Sequence, residues 1–440
     1  MNVFVCVAAA SGWLAGARAK HASLQSTANC MSLFAAYASS PGAISETADV
    51  LPCVSGVSSW RATDGFKDES FISFADESYA AMRDDESRTP FYKEAIVARL
   101  ADADAQTLVV LDIGTGPHAV LALIAARAGA RKVYAIEASA EACGRARATV
   151  ERAGLSETIE IFEGFSTEVS LPEKVDVVVS EIVGSIASEE GAFTTIRDAH
   201  ARFVKRPTRA DSWIPYRVET WASPCSYALQ YALDGDGAYD WGRVREPLRL
   251  SCSDATLLPL HAEAQRVETI EFTDPELPSA ATAGPAPVEH SFVLESARLE
   301  ANEQSYYEAL RGEGVDEEAA RLHAGKAARS LSGLAMWCRL VLSPPRPQTE
   351  AAEAAPAEAV AMEVVGKTVG EGEGEIVVET RGAGGEHAES CWQTVLPLLA
   401  NRPVTVAAGS VVWSRTTVEL PGKVDEPLRY SVQLSVSSGS

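Results

Sequence analysis

Two short apolar runs restrict the possible folds of this chain more than any other feature. Val109–Val110–Leu111–Asp112–Ile113 leads into Gly114–Thr115–Gly116, and Tyr134–Ala135–Ile136 ends on Glu137 one helix-length later. An apolar run closed by a glycine turn and followed by an Ala/Leu-rich stretch, here Ala119–Ala128, is how a strand buried on both faces and its covering helix read. The alternation continues through the helical Ala140–Ala153 and the strands Ile159–Glu163 and Val175–Ser180. It predicts a doubly wound α/β sheet of Rossmann-like type, with ligands at the carboxyl ends of its strands.

The chain has 440 residues, which fits two domains plus extensions. Residues 66–220 carry the alternating pattern. It is preceded by helical spacing from Phe71 through Phe74, Tyr79 and Met82, then Tyr92, Ile96 and Leu100. Beyond Trp221 the apolar runs shorten and Gly and Pro punctuate them, so 221–440 is expected to be a mainly β, barrel-like domain. A polar helical stretch at about 303–330 interrupts it as an arm. The Pro/Ala/Glu-rich residues 343–357 read as a disordered insertion, and Gly370–Gly374 as a loose hairpin end.

Residues 1–65 read as a poorly structured leader. The first 45 residues contain no Asp or Glu and are rich in Ala and Ser. This composition resembles an organelle transit peptide or a weak signal sequence, and an unstructured tail or a misassigned gene start is the competing expectation. The expected compartment is the cytoplasm or nucleus, or an organelle if the leader targets one. No segment is long and apolar enough to span a membrane.

The formal net charge is -23, from 38 basic and 61 acidic side chains. Such a surface repels nucleic-acid phosphates and favours Arg/Lys-rich protein partners, although solubility alone also accounts for it. The eight cysteines are scattered without a CxxC pair, so zinc is not expected and reduced thiols are.

A ligand combining adenosine, a sulfonium and an amino-acid tail needs close backbone approach, which Gly114 and Gly116 allow. It also needs an acceptor for ribose hydroxyls, where Glu137 stands, and an adenine partner, for which Glu168 after the third strand is the candidate. The third glycine of the dinucleotide fingerprint, which would fall at position 119, is missing. S-adenosylmethionine fits this pattern and NAD does not. Two further acids, Glu181 and Glu190, lie nine residues apart across a Gly-containing loop. A guanidinium is a poor nucleophile because it stays protonated and delocalised; a carboxylate pair can hold its donor fork and bias its charge toward one nitrogen.

Several motifs, in order, resemble those of protein arginine N-methyltransferases. They are Tyr79 through Arg88 (a cofactor-covering helix), Val110–Gly116, Tyr134–Glu137, Ser180–Glu190 (a double-glutamate loop), Leu331–Trp337 and Ser390–Val395 (a late loop closing the site). The wording of Asp112–Gly116 and Ser166–Val169 is most similar to the monomethylating branch. The resemblance implies a Rossmann-like domain followed by a β-barrel, and a dimer through the barrel's arm. It implies Arg-rich substrates such as histones or Arg-Gly-rich proteins. In residues, it implies that Glu181 and Glu190 clamp the substrate arginine and that Trp392 stacks on it. Tyr79, Met82, Arg88, Asp112, Gly114, Gly116, Glu137 and Glu168 would hold S-adenosylmethionine.

The chain also departs from the family pattern. Cys391 stands where the late loop usually carries His, which puts asymmetric dimethylation in doubt. Phe71–Ile72–Ser73–Phe74 replaces the usual Tyr-Phe motif, and Ile186–Ala187–Ser188 is plainer than usual. A methyltransferase for another cationic or small-molecule acceptor and a non-catalytic methyltransferase-like scaffold are the alternatives.

Overall fold

The computed structural model describes residues 53–62, 75–101, 105–234, 240–279, 284–344, 375–379, 390–421 and 426–437. The expectations for 1–52, Phe71, Phe74, Gly370–Gly374 and most of the 343–357 insertion lie outside these residues.

The nucleotide-binding pattern forms a parallel sheet of β2 (Val109–Ile113), β3 (Lys132–Glu137), β4 (Ile159–Glu163), β5 (Val177–Ser180) and β6 (Trp213–Ile214), ordered β4-β3-β2-β5-β6. Every residue of β2 and β5 is buried. This explains their unbroken apolar runs, since helices cover both faces. Helices α1 (Asp76–Asp84) and α2 (Thr89–Ala101) precede the sheet, and α3 (Val120–Arg127), α4 (Ala140–Arg152) and α5 (Ala192–Arg202) cross it. From β2 the chain winds one way to β3 and β4, then returns to the other side of β2 for β5 and β6. The crevice between the carboxyl ends of β2 and β5 is therefore the topological switch point where ligands bind in such sheets.

The rest of the chain is mainly antiparallel. One sheet runs β10 (Gln265–Glu271), β7 (Arg217–Tyr227), β13 (Gly333–Val341), β15 (Gln393–Leu396), β8 (Leu248–Ser251); β14 (Val377–Glu379) pairs with β13 and β9 (Leu257–Pro259) with β7. A second runs β1 (Cys53–Arg61), β18 (Arg429–Ser437), β17 (Val411–Glu419), β11 (Val288–Val293). The short β12 (Ser330–Leu331) and β16 (Val404–Thr405) form a ladder of their own. The inner faces of the two large sheets share a core that includes Trp60, Val267, Phe292, Leu334, Met336, Val412 and Leu434.

Two elements refine the sequence reading. Residues 53–61, placed in the leader, form β1, which pairs along its length with β18 from Cys53↔Ser437 to Arg61↔Arg429. The stretch read as an arm is a helix pair, α7 (Ser296–Gly312) and α8 (Glu317–Ala328), which pack on each other. Helix α8 buries Ala320, Ala324, Ala327 and Ala328. With Tyr306 and Leu310 of α7, Ala320, Ala324 and Ala327 share a core that includes Tyr227 and Trp241. A short helix α6 (Ala228–Asp234) lies beside α8.

Candidate active site

The turn after β2 is set by its two glycines and supported by one acid. Gly114 and Gly116 have φ of +78° and +63°, a region that L side chains rarely enter. Their conformation lets the Gly114 and Thr115 amides donate to the Ile136 carbonyl at 2.9 and 3.1 Å, locking the turn to β3. Asp112 sits fully buried below the turn and accepts from the Thr115 hydroxyl at 2.6 Å and the Ala122 amide at 3.0 Å. Burial pushes its carboxyl up to about 7. Asp112 does not line the cavity above; it braces the turn that does. Glu137, at the end of β3, accepts from the Gly116 and Ser139 amides, both at 2.8 Å. Burial raises its proton affinity too, against the pull of those amides.

Above these groups lies a cavity of about 1160 Å³, including its mouth open to solvent. Tyr79 and Met82 of α1, Arg88, Gly114, Gly116 and Glu137 line it, and Glu181, Glu190 and Thr195 line it as well. Six of the eight residues expected to hold the cofactor therefore share one cavity with both acids of the expected clamp. The other two do not line it. Asp112 is the brace described above. Glu168 is exposed: it lies in a turn whose neighbours Ser166 and Val169 are buried, so its own side chain faces out. The cavity wall there is Gly164, Phe165 and Ser166.

Glu181 follows β5 and Glu190 precedes α5, so the loop between them carries one acid at each end. Glu181 forms a buried ion pair with Arg88, their side chains 10% and 8% exposed, and accepts from the Val183 amide at 3.2 Å. Burial raises its carboxyl and Arg88 partly opposes the shift. Glu190 makes no hydrogen bond or ion pair among the described residues. Its carboxyl is raised well above the usual range, by burial first and then by the neighbouring Glu181 and Glu189. A pocket in which carboxylates destabilise one another favours entry of a cation.

The late loop closes over this acidic loop. Trp392 is 5% exposed, and its indole N–H donates to the Val183 carbonyl at 2.9 Å. The Gln393 amide donates to Ser185 Oγ at 3.1 Å. The Trp392 ring lies behind the cavity wall, with the Arg88 guanidinium 5.7 Å from its centroid. It thus stacks on an arginine of its own chain.

Two residues of this site, Asp85 and Glu189, went unmarked in the sequence. Asp85 is buried and accepts from the Ser87 amide and hydroxyl, from Ser390 Oγ at 2.9 Å and from the Cys391 amide at 2.8 Å. It fastens the covering helix to the late loop. Burial alone would raise its carboxyl, but the bonds from Ser87, Cys391 and Ser390 hold it below the usual range. Cys391 keeps its proton, because burial pushes the thiol far up. Glu189, beside the predicted Glu190, pairs with Arg249 of β8 at 2.7 Å and is almost completely buried. Adjacent acids usually read as solvated surface, and the partner that buries this one comes from a distant strand.

Residues 110–202 match the family described as Methyltransferase domain. Within that family the similarity is to protein arginine N-methyltransferases. The chain is 36% identical over 171 residues to protein arginine N-methyltransferase PRMT10 of Arabidopsis thaliana, covering 38% of this chain and 43% of that protein. The chain therefore spans less than half of this relative's length. Among solved structures, that of Arabidopsis thaliana protein arginine methyltransferase 10 in an open conformation aligns with a TM-score of 0.56 at 19% identity, over 84% of this chain and 95% of the other. The Trypanosoma brucei PRMT1 enzyme-prozyme heterotetrameric complex with AdoHcy aligns with a TM-score of 0.52 at 18% identity, over 77% and 87%. At these identities the structural likeness establishes the fold: a Rossmann-type sheet followed by an antiparallel half-barrel.

Proposed function

We propose that the protein transfers a methyl group from S-adenosylmethionine to a guanidinium nitrogen of arginine in protein substrates. The observation that carries this reading is the placement of Glu181 and Glu190 on the same cavity as the glycine turn and Glu137.

The cavity residues suit the cofactor. A Cβ on Gly114 would come within 3.0 Å of Ile182 Cγ2, and one on Gly116 within 3.8 Å of the Tyr79 ring, so these glycines keep a cradle open. Gly116 and Ser139 orient the Glu137 carboxylate for ribose hydroxyls, and Phe165 offers a face for the adenine. Arg88, on the cavity wall, is placed to meet a carboxylate of the amino-acid tail. Bound S-adenosylmethionine supplies an electrophilic methyl group on its sulfonium.

On the substrate side, Glu181 and Glu190 hold the guanidinium and orient its nucleophilic nitrogen, a positioning effect. Glu190, with its raised proton affinity, takes up the proton that this nitrogen must lose. Trp392 and the late loop keep water from the acidic end. The expected substrates are Arg-rich proteins, including histones or Arg-Gly-rich proteins in the cytoplasm or nucleus, drawn by the acidic surface. The α7–α8 pair is the proposed dimer arm. No helix among the described residues is long and apolar enough to cross a membrane.

Incubation of the full chain with labelled S-adenosylmethionine and a pool of histone and Arg-Gly-rich peptides, followed by hydrolysis, tests the proposal. Label in methylarginine supports it; cofactor binding without transfer to any arginine peptide overturns it. A second reading, a different cationic acceptor, draws on the occupancy of Glu181 by Arg88, which leaves Glu190 as the unpaired acid. Labelling of small amines in place of peptides would favour it.

A further inference from the structure

We propose that Glu268, a half-barrel residue outside the cavity, is a positioning residue that fixes Ser188 and so sets where the acidic loop carries Glu190. The inference deepens the methyl-transfer reading and rests on it for the identity of the reaction, but not for the behaviour of the loop.

The loop from Glu181 to Glu190 belongs to the Rossmann-like sheet, yet the half-barrel holds it. The Ala187 amide donates to Thr220 Oγ on β7 at 3.0 Å, and Thr220 in turn donates to Glu268 Oε2 on β10 at 2.7 Å. Ser188 Oγ donates to Glu268 Oε1, and the Tyr430 hydroxyl on β18 lies 2.6 Å from Ser188 Oγ. Tyr430 stacks on Trp60 of β1, with ring centroids 5.4 Å apart. Two consecutive loop residues are thus tied through hydroxyls to one carboxyl, and a third strand backs the arrangement. Ser188, Glu268, Thr220 and Tyr430 are all buried, so water does not replace a lost partner.

The directions of the hydrogen bonds follow from proton counting. With Glu268 ionised, Tyr430 donates to Ser188 and Ser188 donates to the carboxylate, while Thr220 accepts from the loop amide and donates to the second oxygen. Each hydroxyl then has a place for its proton. If Oε1 carries a proton, Ser188 must accept from it and turn its own proton toward Tyr430, whose phenolic proton loses its acceptor. The ionised form therefore fits the loop, and the neutral form frees one buried donor.

Glu268 changes between these forms near neutrality, since burial pushes it up to about 7. The groups facing it are Ser188 and Glu189 from the loop, Thr220 from β7 and Tyr430 from β18, with Arg249 of β8 paired to Glu189. Glu189 opposes its ionisation. Burial keeps Tyr430 protonated and able to donate. As pH rises through neutrality, Glu268 ionises and the loop tightens.

The test uses full-length wild type, Glu268→Gln and Glu268→Asp. It has two arms. Hydrogen exchange of amides 182–189 at pH 6 and 8, corrected for intrinsic exchange, should show protection increasing with pH in the wild type and Glu268→Asp and flat in Glu268→Gln. Methylation of an arginine peptide should show kcat about tenfold lower for Glu268→Gln at pH 8, with KM for S-adenosylmethionine within roughly twofold of wild type. Wild-type protection and kcat in Glu268→Gln at both pH values overturn the inference. If Glu268→Gln does not fold, Tyr430→Phe, which keeps the stack on Trp60, should lower loop protection; unchanged protection overturns the inference equally. A wild type that shows the pH-dependent loop but methylates no arginine refutes the proposed reaction and leaves the positioning role standing.

Discussion

Arg88 and Glu181 form a buried ion pair that joins the segment after the covering helix to the acidic loop. Arg88 also lines the cavity, and it neutralises one of three clustered acids. Removing one partner of a buried pair costs about 3–5 kcal/mol, because the other charge stays buried and uncompensated. Arg88→Ala should destabilise the protein by about that much in urea unfolding and weaken S-adenosylmethionine binding at least about tenfold by calorimetry. Adding Glu181→Gln should recover a good part of the stability and none of the binding. A double variant as unstable as the single would mean that the pair does not carry the effect. Glu181→Gln alone should bind cofactor almost normally and lose transfer.

Glu190→Gln should separate stability from activity. The folded protein binds a proton at Glu190 more tightly than the unfolded chain does, since its carboxyl is raised well above the usual range. Stability therefore falls as pH rises above the ordinary Glu value of about 4.3 and stays lowered above the folded value. Glutamine removes that loss. At pH 8 the variant should be more stable than wild type by on the order of 1 kcal/mol, and the gap should close below about pH 4. Methyl transfer should be abolished. Thermal unfolding across this pH range checks the sign, and a variant less stable than wild type at pH 8 contradicts it.

Asp85 has the opposite linkage. Its carboxyl is held below the usual range, so its contribution is present above the unfolded value of about 3.9 and is lost as pH falls through the folded one. Asp85→Asn loses acceptor capacity toward Ser87, Ser390 and the Cys391 amide. It should cost about 1–3 kcal/mol at pH 7 and less in acid. Because the late loop is released with it, Trp392 fluorescence should become more accessible to a neutral quencher. An unchanged quenching constant would show that the late loop does not depend on this contact.

Glu137 and Glu168 make a matched pair for the cofactor side. Glu137→Ala should weaken S-adenosylmethionine binding at least about tenfold, since it removes an oriented carboxylate from the cavity wall. Glu168→Ala, on an exposed turn, should leave the affinity unchanged. Calorimetry on both variants decides whether the cavity wall or the motif position identifies the contact.

The contrast between these two acids shows what was legible in the sequence. Val109–Ile113 and Val177–Ser180 announced themselves because parallel strands bury both faces, so hydrophobicity alone marks them. Glu137, Glu181 and Glu190 stand at strand or helix ends, where position along the chain nearly fixes position in space. Glu168 lies in a turn, and one residue of rotation decides between cavity and solvent. Asp85 and Glu189 were not legible, because their partners, Ser390, Cys391 and Arg249, are far away in sequence and look unremarkable there. Gly184 belongs with them. A Cβ there would fall 2.5 Å from Glu189 Cβ, a requirement visible only once the loop is folded against the half-barrel.

The pairing of β1 with β18 also governs how the chain can be made and trimmed. Cys53 meets Ser437 across the sheet, so the earliest described strand must wait for the last one before it has a neighbour. Contacts this distant are slow to form and leave an edge exposed during synthesis. A shortened expression form that starts after residue 61 would discard β1 and with it Trp60, the ring behind Tyr430. Such a form should refold poorly and prove prone to aggregation even with the entire Rossmann-like sheet and acidic loop retained.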